Sequence, residues 1–122
     1  MFNVKGSQVH VVDQGVGSPV LFLHGNPDTS EVWDGLIGQI RPRRRCLAPD
    51  LPGYGRSVAT ANFDCSLENL AEFIDELVRQ LAIEEAIDLV VHDIGGQFGL
   101  AWAVKHPEKV RSITIFNTAF SP

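Results

Sequence analysis

The stretch Asp88-Leu-Val-Val-His-Asp-Ile-Gly-Gly-Gln-Phe-Gly-Leu-Ala-Trp102 decides how the rest of the chain is read. Ile87 to Val91 is a short apolar run rich in β-branched residues, the pattern of a central strand buried on both faces. Gly95 and Gly96 follow at once. From Gly96 onward Phe98, Leu100, Ala101, Trp102 and Val104 predict a helix that stops near Lys105-His106, because Pro107 cannot continue it. Asp93 is therefore expected on the turn between strand and helix.

A side chain on a tight strand-to-helix turn is pushed out of the sheet, and the helix start supplies backbone N–H groups that can hold developing negative charge. This is the mechanical idea of the nucleophile elbow, normally G-x-S-x-G. Here Asp93 fills the nucleophile slot, Gly95 the last small position, and Val91 stands in place of the first glycine. On this segment alone the other reading is that Asp93 caps the helix.

With 122 residues and 44% hydrophobic content the chain can bury one core, so residues 1–122 are read as part of a single domain. A formal net charge of −5 argues against nucleic acid or an anionic membrane as partner. Cys46 and Cys65 fall on no metal-ligand spacing and make no disulfide framework, so reduced thiols in a cytoplasmic protein are expected, with no metal and no cofactor. Met1 to Lys5 leads into no apolar signal core, and no apolar run approaches bilayer-spanning length.

In chain order, Phe2 to Lys5 and Val9 to Val12 read as a hairpin turning at Gly6-Ser7. Val20 to Leu23 is a continuous apolar strand ending in the turn cluster His24-Gly-Asn-Pro-Asp28. Ser30 is the expected N-cap of a helix from about Glu31 to Gln39, with Trp33, Leu36, Ile37 and Ile40 on its apolar face. Arg41 to Arg45 reads as a solvated basic linker. Cys46 to Ala48 is a short strand running into the ordered loop Pro49 to Ser57. Ser66 opens a helix whose apolar stripe is Leu67, Leu70, Ala71, Ile74, Leu77, Val78 and Leu81. Val110 to Phe116 is a last buried strand.

Strands and helices alternate after the hairpin, so the expected architecture is a three-layer, doubly wound, mostly parallel α/β sheet. Ligands bind such sheets at the carboxyl ends of the strands. Three loops meet there: His24 to Asp28, Asp50 to Ser57 and His92 to Gly96.

His24-Gly-Asn-Pro27, Asp50-Leu-Pro-Gly-Tyr-Gly-Arg-Ser57 and His92-Asp-Ile-Gly-Gly96, in this order and spacing, resemble the N-terminal half of an α/β-hydrolase over the whole chain. An Asp at the elbow resembles the haloalkane dehalogenases and epoxide hydrolases more than the serine esterases, and Phe98 to Val110 is similar to the dehalogenase pattern. Ser57 and Ser66, in a glycine loop and at a helix cap, leave the serine-esterase reading weak. A carboxylate is ionised at neutral pH and can displace a leaving group from saturated carbon without a base to activate it.

The resemblance implies a covalent alkyl ester on Asp93, a small apolar organic substrate, and an oxyanion hole from the backbone N–H groups of Asn26 and Ile94. It also implies that the Asn26 side chain donates to a departing halide, although a bare turn role before Pro27 is the alternative. The dehalogenases usually place a Trp directly after the nucleophile, whereas Ile94 donates nothing. Haloalkane dehalogenation is thus the leading expectation, with epoxide hydrolysis and a non-catalytic interaction module as alternatives.

By the same resemblance the acid and the His follow the nucleophile. Here the only later histidine is His106, read as a helix-end residue, and Asn117 occupies a place where one group of dehalogenases carries its Glu. The chain is accordingly expected to be the N-terminal part of an enzyme, stopping before the cap and final strands. Val110 to Phe116 would then be an exposed sheet edge capable of self-association. Asp50 is expected to hold its own loop through backbone N–H bonds.

Overall fold

A computed structural model describes residues 1–116. Asn117 lies outside the described residues. The chain opens with an antiparallel hairpin of β1 (Phe2–Val4) and β2 (Ser7–Val9), in which Phe2 faces Val9. Its turn is Lys5-Gly6, with φ of 52° and 89°, one residue earlier than the sequence suggests. The run expected as one arm, Val9 to Val12, is divided at His10. Val9 ends the hairpin, and β3 (Val11–Gln14) crosses to the main sheet.

That sheet comprises β3, β4 (Ser18–Leu23), β5 (Arg44–Pro49), β6 (Ile87–His92) and β7 (Val110–Phe116), in the spatial order β3-β5-β4-β6-β7. β3 runs antiparallel to β5, and every other pairing is parallel. The register sets Leu23 beside Val91, so β4 and β6 end side by side. The continuous apolar character of Val20 to Leu23 follows from this central place, since all four residues are buried.

Helices cover both faces. Leu21, Leu23, Leu89 and Val91 pack toward α2 (Leu67–Gln80) and α3 (Ile94–Lys105), meeting Leu70, Phe73, Ile74, Leu77, Phe98 and Trp102. Each large apolar side chain so buried contributes on the order of 1.5–3 kcal/mol relative to exposure. Val20, Phe22, Cys46 and Ala48 face the other way onto Trp33 and Ile37. Those two come from a 3-10 turn, Ser30–Trp33, and from α1 (Asp34–Ile40).

Several boundaries differ from expectation for physical reasons. Thr29, not Ser30, caps the first turn, accepting from the Glu31 N–H, because the Ser30 N–H is turned toward Asp50. Ser66 does cap α2, accepting from the Asn69 N–H at 3.2 Å. Leu67 belongs to the predicted stripe yet is exposed, while Phe73 is fully buried beside Ile74. Arg44 and Arg45 are strand residues, not linker: Arg45 grips Asp13 with two bonds of 3.1 and 2.8 Å, and Arg44 pairs with Asp88.

Asp88 also bonds Arg111 and Ser112. The Arg111 guanidinium, working against burial and joined by Ser112 and Arg44, holds that carboxyl well below the usual carboxylate range. β7, expected to be buried, is instead exposed along Arg111 to Phe116, because it has β6 on one side and no described strand on the other; Ile113 and Ile115 are among its exposed residues. No helix among the described residues is long and apolar enough to cross a membrane. Cys46 and Cys65 are free thiols, and no group of His, Cys, Asp and Glu among the described residues could hold a metal ion.

Candidate active site

α3 begins at Ile94, two residues before the sequence reading places it. Gly95 and Gly96 are therefore inside its first turn, the Gly96 N–H donating to the Asp93 carbonyl at 2.8 Å. For Gly95 the reason is close approach. A Cβ on Gly95 would stand 2.2 Å from the Leu23 carbonyl oxygen and 2.7 Å from that of His24, both backbone atoms. A bare backbone there lets the helix start close against the end of β4. Gly99, one turn on, does the same over Val91 and Leu89.

The turn between β6 and α3 is a single residue, and Asp93 absorbs it with φ 52° and ψ −120°. That conformation costs an L-residue about 1–3 kcal/mol and persists only where its surroundings impose it. Asp93 stands at the cap position, but its carboxylate makes no cap bond to α3. Instead Oδ2 accepts the Asn26 backbone N–H at 3.0 Å, across 67 residues of sequence. The capping alternative is thus overturned by where the side chain points. Ile94, as the first residue of α3, has one of the N–H groups that lack an intrahelical acceptor.

Asn26 reaches Asp93 because the His24–Asp28 loop folds tightly over the elbow. The Asp28 N–H donates to the Gly25 carbonyl at 2.8 Å, closing a turn around Asn26 and Pro27. Gly25 lies directly on the elbow: a Cβ there would sit 2.6 Å from His92 Nδ1 and 2.7 Å from Asp93 Cβ. Asn26 is exposed and Asp93 half-buried, so this turn opens toward solvent.

The third loop buttresses the first. Asp50 is 2% exposed; its Oδ1 accepts the Ser30 N–H at 2.7 Å and its Oδ2 the Arg56 N–H at 3.0 Å. Burial opposes ionisation of this carboxyl, but the two backbone donors outweigh it and leave its pKa lowered. Gly55, at φ 53°, is needed because a Cβ would stand 2.6 Å from the Asp50 carboxylate. Ser57 donates to the Asp50 carbonyl at 2.6 Å and accepts the His10 N–H at 2.9 Å. Ser57 and Ser66 are thereby occupied as a loop brace and a helix cap.

None of the four histidines hydrogen-bonds Asp93 among the described residues. His24 is fully buried, its Nε2 accepting the Leu51 N–H at 2.9 Å and its Nδ1 lying 2.8 Å from the Gly25 carbonyl. Burial lowers its pKa, in keeping with a neutral ring. His92 Nδ1 lies 3.8 Å from Asp28 Oδ2. His106 stands at the end of α3 near Asp75 and Glu108. Asp75 ties α2 to α3 by accepting from Trp102 Nε1 at 3.1 Å and to the segment after α3 by accepting from Lys109 Nζ at 2.6 Å. The role of His24 escaped the sequence reading, although a His-Gly pair at a strand end beside a second ordered loop is a usable signal.

Comparison with known proteins places the fold in a family. The chain is 38% identical over 111 residues to a haloalkane dehalogenase of Agrobacterium fabrum, covering 91% of this chain and 36% of that protein. It is 34% identical over 116 residues to a cis-3-alkyl-4-alkyloxetan-2-one decarboxylase of Shewanella oneidensis, covering 93% and 36%. The crystal structure of an epoxide hydrolase from Vigna radiata superposes with a TM-score of 0.89 at 32% identity, over 99% of this chain and 40% of that one. The chain thus spans little more than a third of the length of the two curated relatives. With residues 18–122 matching the family described by the alpha/beta hydrolase fold, the chain belongs to the α/β-hydrolases.

Proposed function

We propose that Asp93 is the nucleophile of a hydrolase that works through a covalent alkyl ester, and that haloalkanes are its substrates. The observation that carries this reading is the strained elbow whose carboxylate receives the Asn26 N–H instead of capping α3. With Oδ2 engaged by Asn26, Oδ1 is the oxygen that attacks. It forms a bond to a saturated carbon as the carbon–halogen bond breaks and the halide leaves with the electron pair. Asn26, exposed at the turn, offers its side-chain amide to that halide.

The second step is attack of water on Cγ of the ester, whose carbonyl oxygen is Oδ2. Negative charge then grows on Oδ2, already at the Asn26 N–H and near the start of α3, where Ile94 supplies a second donor. Collapse breaks the Cγ–Oδ1 bond of the tetrahedral intermediate, releases the alcohol and restores a carboxylate. The base that deprotonates the water comes from outside the described residues, since both ring nitrogens of His24 are occupied and His106 is held at the far end of α3.

One observation favours a second reading. Ile94 has no side-chain donor, so among the described residues at the elbow a free halide would be stabilised by the Asn26 side chain, together with groups outside this chain. Opening a strained ring makes a weaker demand, because the leaving oxygen stays attached to the alkyl ester. An epoxide fits this, as does the β-lactone ring named for the Shewanella relative. Assays of halide release from bromoalkanes and of ring opening of a small epoxide, with Asp93→Asn as control, separate these readings. Halide release abolished by the substitution supports dehalogenation, and ring opening alone moves the assignment to epoxides. Neither reaction in a folded protein would favour the interaction module.

A further inference from the structure

The Gly25 carbonyl and the Asn26 N–H are the two ends of one peptide unit, and the unit is planar with the two groups pointing in opposite directions. One end is aimed at Asp93 Oδ2. The other is held by two donors: the Asp28 N–H at 2.8 Å and the ring nitrogen Nδ1 of His24, also at 2.8 Å. The His24 ring is in turn fixed from behind, since Nε2 accepts the Leu51 N–H at 2.9 Å. That bond requires Nε2 to be unprotonated and so puts the ring proton on Nδ1, facing the Gly25 carbonyl.

Leu51 is itself immobilised. It is fully buried, and it follows Asp50, whose carboxylate carries the Ser30 and Arg56 N–H groups. Tyr54 meets the His24 ring edge-on at 5.3 Å. A rigid line therefore runs from the Asp50–Ser57 loop through the imidazole to the peptide that faces Asp93.

We infer that His24 is a positioning residue for the proposed reaction: its Nδ1–H orients and polarises the Gly25–Asn26 peptide, so that the Asn26 N–H points at the oxygen that becomes the ester carbonyl. Donation into a carbonyl strengthens the N–H at the other end of the same amide. The benefit is greatest where charge develops on that oxygen, so His24 acts on ester hydrolysis more than on ester formation. This inference rests on the Asp93 ester reading.

Two substitutions divide the two bonds of the ring. His24→Asn keeps a donor near Nδ1 and loses the acceptor for Leu51, whereas His24→Gln keeps an acceptor near Nε2 and loses the donor to Gly25. In the whole protein, single-turnover mass measurements with a bromoalkane and an epoxide should show ester hydrolysis slowed about tenfold or more in His24→Gln. Ester formation should change by less than about threefold, and His24→Asn should keep hydrolysis close to the parent rate. Equal slowing of both steps, or slowing in both variants that follows their loss of thermal stability, overturns the inference.

An arm independent of turnover uses nitrogen NMR of the unaltered protein. A pyrrole-type Nδ1 and a pyridine-type Nε2 for His24 are expected, and the opposite tautomer would refute the inference outright. In the variants the Asn26 amide resonance should move in His24→Gln and stay in His24→Asn. If the parent forms no ester on Asp93 while these resonances behave as described, the catalytic reading fails and the peptide-orienting role of His24 stands.

Discussion

Replacing Gly95 with Ala tests whether the elbow depends on backbone contact between α3 and β4. The added Cβ would lie 2.2 Å from the Leu23 oxygen, 2.6 Å from the Leu23 carbonyl carbon and 2.7 Å from the His24 oxygen. None is the movable end of a side chain, so the helix start must retreat by roughly 0.8 Å for the nearest approach to reach the 3.0 Å limit of real contacts. Overpacking of this kind costs about 1–3 kcal/mol, and rigid backbone on the far side puts this case at the upper end. Alanine's helix propensity returns at most about 1 kcal/mol. The net loss is about 2 kcal/mol, or roughly 6–10 °C in Tm for a chain of this length. Chemical and thermal unfolding measure it, with Gly38→Ala as control. Gly38 is exposed in α1 with nothing within 4 Å, so Ala there should stabilise by about 0.5–1 kcal/mol. Gly95→Ala as stable as the parent would refute the close-approach account, and unchanged activity in a destabilised variant would uncouple the contact from the site.

Asp50→Ala should cost about 2 kcal/mol or more in urea unfolding, because the buried Ser30 N–H and the part-buried Arg56 N–H lose their acceptor. His24, whose pKa is lowered from the ordinary 6.5 by burial, binds its proton more readily unfolded than folded. Its contribution to stability is complete above pH 6.5 and is lost as pH falls below that value, with a slope of at most about 1.4 kcal/mol per pH unit that His24→Asn should remove from a pH series of unfolding curves. Ile94→Trp adds an indole N–H beside Asp93 and should raise halide release severalfold, read by ion chromatography, while leaving epoxide opening unimproved. Ile115→Lys on the exposed face of β7 should shift any self-associated form toward monomer in sedimentation velocity, and an unchanged distribution would exclude that edge as the contact.

The sheet was legible because its strongest signals are local. Val20 to Leu23 is an apolar run without alternation, and burial on both faces is its physical cause, whereas Ile87 to Val91 is fully buried on one face only, with Asp88 and Val90 half-buried on the other. The α2 stripe carried its cap at Ser66 in the sequence for the same local reason. What misled were residues whose meaning is tertiary. Gly95 read as the small position that closes the elbow, yet it sits inside the helix, and the need for it comes from Leu23, more than seventy positions away. Arg44 and Arg45 read as solvated charge because Asp88 and Asp13, their partners, are distant in sequence. Asp93 could be located on its turn, but periodicity could not tell a capping carboxylate from one turned toward Asn26. Asn117, the position at which the resemblance looks for an acid, falls outside the described residues.

The proposed covalent bond to Asp93 is directly observable. The protein should be mixed with a small bromoalkane and, separately, a small epoxide, quenched in acid, digested, and the peptide spanning Asp93 weighed. We expect the mass of that peptide to rise by the alkyl group, or by the whole epoxide, with fragmentation placing the gain on Asp93 and no gain in Asp93→Asn. Turnover of either compound without a trapped ester, or a gain located on any other residue, would contradict it.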